Sequence, residues 1–198
     1  MEDEKKIYCG FPPLCGDNPQ ILILGTFPST LSREKGEYYG NSRNQFWRII
    51  YSIFDTPHIE YNNEHSNNYS YEQNYEQNYK YSYEHSYEHN YGQRKTFLFN
   101  NGIAVWDVIA QCEVDGALDS AIRNPIYNMA LPKFIEENDI SKVYFNGNNA
   151  YAFYKRGIGH IEKNVLPSTS PAYAAMSFDK KRKLWHNALN RENSIPGP

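Results

Sequence analysis

Ile21-Leu22-Ile23-Leu24-Gly25-Thr26-Phe27-Pro28-Ser29 is an unbroken apolar tetrad that stops at a glycine and runs into a small, polar, proline-stiffened segment. A short run of aliphatic residues with no polar alternation marks a strand buried on both faces, the habit of parallel sheets. Three further stretches end in the same way. Gly102 to Trp106 stops at Asp107, Ser141 to Phe145 stops at Asn146-Gly147, and Ile161 to Leu166 stops at Pro167. Helical spacing fills the intervals. Arg43 to Phe54 places Phe46, Trp47, Ile49, Ile50 and Ile53 on one face. Leu131 to Glu137 has Pro132 at its start, and Asn149 to Arg156 and Asp179 to Asn190 complete the set. The alternation predicts an α/β fold, three layers α/β/α around a central four-stranded parallel sheet.

One stretch does not fit this pattern. From Tyr71 the chain reads YEQN-YEQN-YKYS-YEHS-YEHN-YGQ, with Tyr at 71, 75, 79, 83, 87 and 91. A period of four drifts around a helix and puts every Tyr on one face of a strand, with almost no aliphatic residue to bury. The tract therefore reads as a low-complexity insert at about 60–94 in a single domain spanning 1–198, because long surface insertions cost little free energy. His65, His85 and His89 also give it imidazoles of the kind metal-binding tracts carry; a solvated loop expansion is the plainer reading.

Net charge is −3, an unpromising sign for a phosphate-binding protein. The charge is unevenly spread, however. Residues 60–93 hold six glutamates against Lys80 alone, which leaves 19 Lys+Arg against 17 Asp+Glu elsewhere. A mildly basic body is compatible with nucleic acid without demanding it. No apolar stretch approaches membrane-spanning length and no signal-like run follows Met1, so a cytoplasmic or nuclear, non-secreted protein is expected. Cys9, Cys15 and Cys112 are too few and too irregularly spaced for a disulfide framework, a zinc site or an iron–sulfur cluster. No metal and no cofactor is expected.

In a sheet of this type ligands bind beyond the carboxyl ends of the strands. Those ends carry Gly25-Thr26-Phe27-Pro28-Ser29, Asp107, Asn146-Gly147 and Pro167-Ser168-Thr169-Ser170-Pro171-Ala172. They hold no Ser/His/Asp set, no pair of carboxylates and no cluster of metal ligands, so covalent or metal-dependent hydrolysis is poorly supported. Amides, hydroxyls and aromatic faces remain.

Gly25 to Ser29, followed by Tyr38-Tyr39-Gly40-Asn41-Ser42-Arg43-Asn44-Gln45-Phe46-Trp47, resembles the first motif region of the uracil-DNA glycosylase superfamily, and most of all its hypoxanthine-DNA (deoxyinosine) glycosylases. In related mismatch-specific enzymes the pieces read like GINPG and FAHPANRFW. Asn101 to Val108 resembles the family's second strand, and Val143 to Gly147 its third. Leu166 to Ala172 resembles its second motif, the loop that enters DNA. The resemblance covers residues 18–59 and 95–190. It implies a monofunctional DNA glycosylase of base excision repair, a hydrolase of N-glycosidic bonds acting on deaminated bases, hypoxanthine first and uracil second. Its partner is DNA containing such bases, and it works as a monomer without a membrane.

The resemblance also implies roles. Such enzymes extrude the base and stabilise positive charge on the sugar and negative charge on the base with oriented dipoles. Where GINPG has its water-holding Asn, this chain has Phe27. The hypoxanthine-DNA glycosylases share that gap, which moves the catalytic role to Asn44, with Asn41 as the fallback. Both residue types also suit helix caps and turns. Tyr39 stands where the stacking Phe stands; Gly25, Thr26, Phe27, Pro28, Ser29 and Asn146 complete the expected base pocket. Asn146 also suits a turn before Gly147. Arg43, Ser168, Thr169, Ser170, Pro171, Lys180, Lys181 and Arg182 are the expected DNA contacts, the last three also reading as a solvated charge run. Ser42 replaces a Pro more usual in the family. A catalytically weak or inactive nucleic-acid binding module of the same fold is the alternative. In a third reading, self-association through the repeat is the function and the folded body is a passenger.

Overall fold

The computed structural model describes residues 6–54, 90–114 and 122–189. Most of the insert, including His65, His85 and His89, lies outside the described residues. Along the chain the elements are β1 (Ile7–Cys9), β2 (Ile21–Gly25), α1 (Thr30–Lys35), α2 (Phe46–Phe54), α3 (Tyr91–Asn100), β3 (Ile103–Asp107), β4 (Ile109–Val114), β5 (Ile122–Tyr127), α4 (Leu131–Glu137), β6 (Lys142–Asn146), α5 (Asn148–Gly157), β7 (Val165–Leu166) and α6 (Phe178–Leu189).

The apolar tetrad sits where it was expected, in the middle of a four-stranded sheet of order β3-β2-β6-β7. All three pairings are parallel, with Leu22 opposite Ala104 and Val143, and Gly25 opposite Asp107. Alternation along β2 then sorts the core. Ile21 and Ile23 face one cluster, built with Phe46, Ile49 and Ile50 of α2, Leu98 of α3 and Trp185 of α6. Leu22 and Leu24 face the other, built with Leu131 of α4 and Ala150 and Tyr154 of α5. Helices thus cover both faces, and the α/β/α layering is observed.

A second sheet lies outside the expectation. β1, β4 and β5 form an antiparallel sheet in the order β1-β4-β5. Its pattern was hard to read because the β4–β5 register shifts twice, between Ile109 and Gln111 and between Gln111 and Glu113. Bulges of that kind break the period-two alternation by which a strand is recognised.

Several boundaries move for identifiable reasons. The helix expected from Arg43 begins at Phe46, because residues 41–44 form a turn closed by Asn44 N–H donating to Asn41 O (2.8 Å). The strand expected from Ile161 is reduced to Val165–Leu166. The insert's expected end at about 94 falls inside α3. Asn90 caps that helix in a capping box with Gln93 (3.0 and 2.8 Å), so the last repeat unit is drawn into the fold. Tyr91 Oη accepts the Tyr38 N–H (3.0 Å), and its ring packs edge-on against Trp47.

Gly157, at the end of α5, abuts the ring of Tyr127 at the end of β5 so closely that a Cβ there would overlap ring carbons. Gly157→Ala is therefore expected to lower stability by about 1–3 kcal/mol, the usual cost of overpacking. A urea titration should show a lower midpoint with an unchanged slope.

Candidate active site

The carboxyl ends of β2, β3, β6 and β7 open into one cleft of about 450 Å³. Parallel pairing brings the four ends side by side, so segments distant in sequence share its wall. Each end is shaped by local chemistry. After β2, Ser29 caps α1, its Oγ accepting the Ser32 N–H (3.3 Å). Arg33, one turn into that helix, donates through Nη1 to Pro28 O (2.7 Å), and its guanidinium lies over the Tyr8 ring (4.3 Å). The Phe27-Pro28-Ser29 backbone is thereby held from α1. Gly25 is required by space, since a Cβ there would collide with Asp107 Oδ1 across the β2–β3 pair. After β6, Gly147 has φ +99° and packs its Cα against Ser168, and a Cβ would come within 2.9 Å of Ser168 Cβ.

Asn146 joins three segments. Its Oδ1 accepts the Thr169 N–H (2.9 Å), while its Nδ2 donates to Thr169 Oγ1 (2.8 Å) and to Tyr39 Oη (3.1 Å). Both amide hydrogens are used and one Oδ1 lone pair remains. The side chain therefore does more than turn the chain before Gly147, and towards the cleft it can act only as an acceptor.

Tyr39 has φ +54°, a left-handed backbone that costs a non-glycine residue free energy. The surroundings hold it there. Its ring stacks on buried Phe46 with centroids 3.8 Å apart, and its hydroxyl meets Asn146. Next door, Tyr38 is buried and donates to Pro12 O (3.2 Å). Burial first, and the Asp107 carboxylate second, push its phenol above the ordinary tyrosine range, so it stays neutral.

Asn44 lines the cleft and also serves the helix behind it. Its Oδ1 accepts the Phe46 N–H (3.0 Å) at the start of α2. Its Nδ2 has no hydrogen-bond partner among the described residues. Capping and a place in the cleft are thus compatible, because the cap uses only the Oδ1 end of the carboxamide.

Of the residues expected from sequence, Gly25, Thr26, Phe27, Pro28, Ser29, Tyr39, Asn44, Asn146, Ser168, Thr169 and Ser170 line this one cleft. Asn41, Arg43, Pro171, Lys180, Lys181 and Arg182 are outside its lining. Asn41 spends its Oδ1 on the Arg43 N–H (3.0 Å) in the turn. Lys181 needs correction. It is 1% exposed, so the run 180–183 is not a uniformly solvated face and this ammonium is not placed to meet a phosphate. Its Nζ donates to Gln45 Oε1 (3.0 Å) and Tyr173 O (2.8 Å), and burial pulls its pKa below the ordinary lysine value. Sequence reading gave no role to Asp107, the one carboxylate among the lining residues, or to Tyr173 and Arg33. Position alone was a signal for Asp107, which ends a strand; Arg33 had none, since its role depends on how α1 folds back.

Known proteins share the sequence pattern and the fold of this chain. The sequence profile described as the Uracil DNA glycosylase superfamily matches residues 12–192. The chain belongs to that superfamily. A protein named hypoxanthine DNA glycosylase from Methanosarcina barkeri (strain Fusaro / DSM 804) is 29% identical over 187 residues, covering 92% of this chain and 98% of that one. Another of the same name, from Methanosarcina acetivorans, is 30% identical over 186 residues, covering 92% and 97%. A solution NMR structure from Methanosarcina acetivorans, provisionally assigned as a uracil DNA glycosylase, superposes with a TM-score of 0.63 at 27% identity, covering 95% of this chain and 99% of that one.

Removing the Asn146 side chain leaves the Thr169 N–H without its acceptor, at a residue that is 0% exposed. Asn146→Ala is expected to cost about 1–3 kcal/mol, the penalty of a buried unsatisfied donor. Thermal and urea melts of the purified variant should both report it.

Proposed function

We propose that this member of the superfamily is a monofunctional DNA glycosylase that hydrolyses the N-glycosidic bond of deaminated nucleotides, hypoxanthine first and uracil second, and acts as a monomer in the cytoplasm or nucleus. The observation that carries the reading is the cleft itself, which sets the stacked Tyr39 ring and the Asn44 carboxamide in one wall at the strand ends. The names of the two Methanosarcina relatives support hypoxanthine as the first base to try.

Chemistry follows from the residue types. A base turned out of the helix enters the cleft and stacks beside Tyr39. The remaining Oδ1 lone pair of Asn146 accepts a ring N–H, which hypoxanthine and uracil both present on the Watson–Crick edge. Asn44 orients a water towards the sugar C1′. As the glycosidic bond breaks, its electron pair leaves with the base, water adds to the sugar, and the water's proton is lost to the leaving base or to solvent. The Asp107 carboxylate, at the end of the neighbouring strand, favours the positive charge developing on the sugar. The Ser168 and Ser170 hydroxyls hold the strand nearby, with Arg43, Pro171, Lys180 and Arg182 as outer contacts, while Thr169 is buried and turned inward onto Asn146 and shapes the loop without meeting the strand. No lysine lines the cleft among the described residues, so no Schiff-base strand cleavage is expected.

Duplexes carrying a single deoxyinosine, deoxyuridine or deoxyxanthosine test this directly. Incubation with the protein, then alkali, should cut the deoxyinosine strand fastest. Absence of abasic product from all three would sink the enzyme and leave a DNA-binding module. Asn44→Ala should lower kcat about a hundredfold with DNA binding mostly kept, since one oriented dipole is lost chiefly in the transition state. A loss matched by an equal fall in thermal stability would assign Asn44 to capping alone. Deleting residues 60–89 should leave activity intact, and its abolition would favour the self-association reading.

A further inference from the structure

The segment Pro167 to Tyr173 forms one wall of the cleft, and α6 holds it at both ends. Residues 181 and 185 lie one helical turn apart and so share a face. Trp185, 0% exposed, donates through Nε1 to Pro167 O (2.9 Å) at the loop's start. Lys181, 1% exposed, donates through Nζ to Tyr173 O (2.8 Å) at its end, with the Tyr173 ring centroid 5.0 Å away. The same ammonium reaches Gln45 Oε1 (3.0 Å), and the Gln45 N–H donates to Thr169 O (2.9 Å). Gln45 follows Asn44 directly. One buried cation therefore links the loop to the turn that presents Asn44.

The choice of residue is informative. A buried ammonium loses its hydration, and its two oxygen partners here are a carboxamide and a backbone carbonyl, both neutral. Burying a charge whose only partners are neutral is costly, because desolvation offsets much of what its hydrogen bonds return. Stability alone thus gives little reason for a lysine at this position. Geometry gives a better one, since only a donor on a long stem, with more than one hydrogen to place, can hold two acceptors on different segments.

We infer that Lys181 is a positioning residue that locks the 167–173 loop to the Asn44–Gln45 turn and so sets the distance across the cleft between the DNA-gripping loop and the water-orienting amide. This rests on the glycosylase reading of the cleft. Lys181 touches no DNA in this account. It acts through Gln45 and the Tyr173 carbonyl, and its loss lets the two walls drift apart by a fraction of an ångström. Misplacement on that scale is costly in rate while leaving most binding contacts intact.

Two substitutions test it. Lys181→Met keeps the apolar stem and deletes both bonds; Gln45→Met cuts the same link from the α2 side. Each should lower kcat on a deoxyinosine duplex about tenfold at a temperature where the variant is fully folded, change the DNA Kd less than about threefold, and lower the melting temperature by several degrees, since a buried polar group loses its partner. The double variant should be no slower than the worse single one, because both break one link. Wild-type base release in the same assay secures the underlying reading, and its absence would remove that reading, not the lock. With wild-type release present, three results overturn the lock. One is kcat within twofold of wild type in either variant. Another is multiplicative losses in the double variant. The third is a weaker Kd with a shallower salt dependence at unchanged kcat, which marks a direct phosphate contact. Should Lys181→Met fail to fold, Gln45→Met alone decides: unchanged kcat overturns the lock and a tenfold loss upholds it.

Discussion

Three hydrogen bonds from one carboxamide hold the cleft in shape. Asn146 stands at the carboxyl end of β6, and through Thr169 and Tyr39 it ties the loop after β7 and the segment before α2 to the centre of the sheet. That crosslink acts beside the Gln45 N–H to Thr169 O and Gly147 N–H to Leu166 O bonds, which join the same segments through the backbone. At this junction Tyr39 keeps a left-handed backbone, with its hydroxyl on Asn146 and its ring flat on Phe46. Local strain of this kind persists only where the surroundings over-determine it. The rest of the site takes its positions from this junction and from the β2 tetrad beneath it.

In the proposed reaction the same junction would let the cleft discriminate without a charged reader. An amide free to rotate could present either its donor or its acceptor to a base. Here the Thr169 N–H, which can only donate, fixes which end of the Asn146 amide is the oxygen, and with both Nδ2 hydrogens donated to hydroxyls a lone pair is left to face a ligand. An acceptor suits a ring N–H and opposes a ring lone pair at the same place. That is the change deamination makes to adenine and to cytosine, so under the proposed function a neutral, fixed amide would serve the first step of recognition.

Much of this was legible from sequence, and the reasons are specific. The ILIL run of β2 reads correctly because a strand buried on both faces needs no partner to declare itself. Pro132 gave the start of α4, since proline at the first turn of a helix is a local signal. The strand-end rule accounts for nine of the expected site residues in the cleft, and the family resemblance for Tyr39 and Asn44. Failures share a cause too. The antiparallel sheet escaped because bulges erase its alternation. Lys181 read as one of four like charges in 180–183, and only the packing of α6 against the 167–173 loop shows it buried. Arg33 escaped because its contact with Pro28 O appears only once Ser29 has capped α1. Information carried by spacing along the chain was readable; information carried by which face of a helix meets which loop was not.

The central claim is that a base turned out of DNA occupies this cleft, against Tyr39 and within reach of a water held by Asn44. A crystal structure of the full chain bound to a duplex carrying a 2′-fluorinated, cleavage-resistant deoxyinosine tests that most directly. The account predicts hypoxanthine stacked beside Tyr39, its N1–H on Asn146 Oδ1, and a water bridging Asn44 to within about 3–3.5 Å of C1′. Hypoxanthine left in the helical stack, or held at another surface while the cleft stays empty, would contradict it.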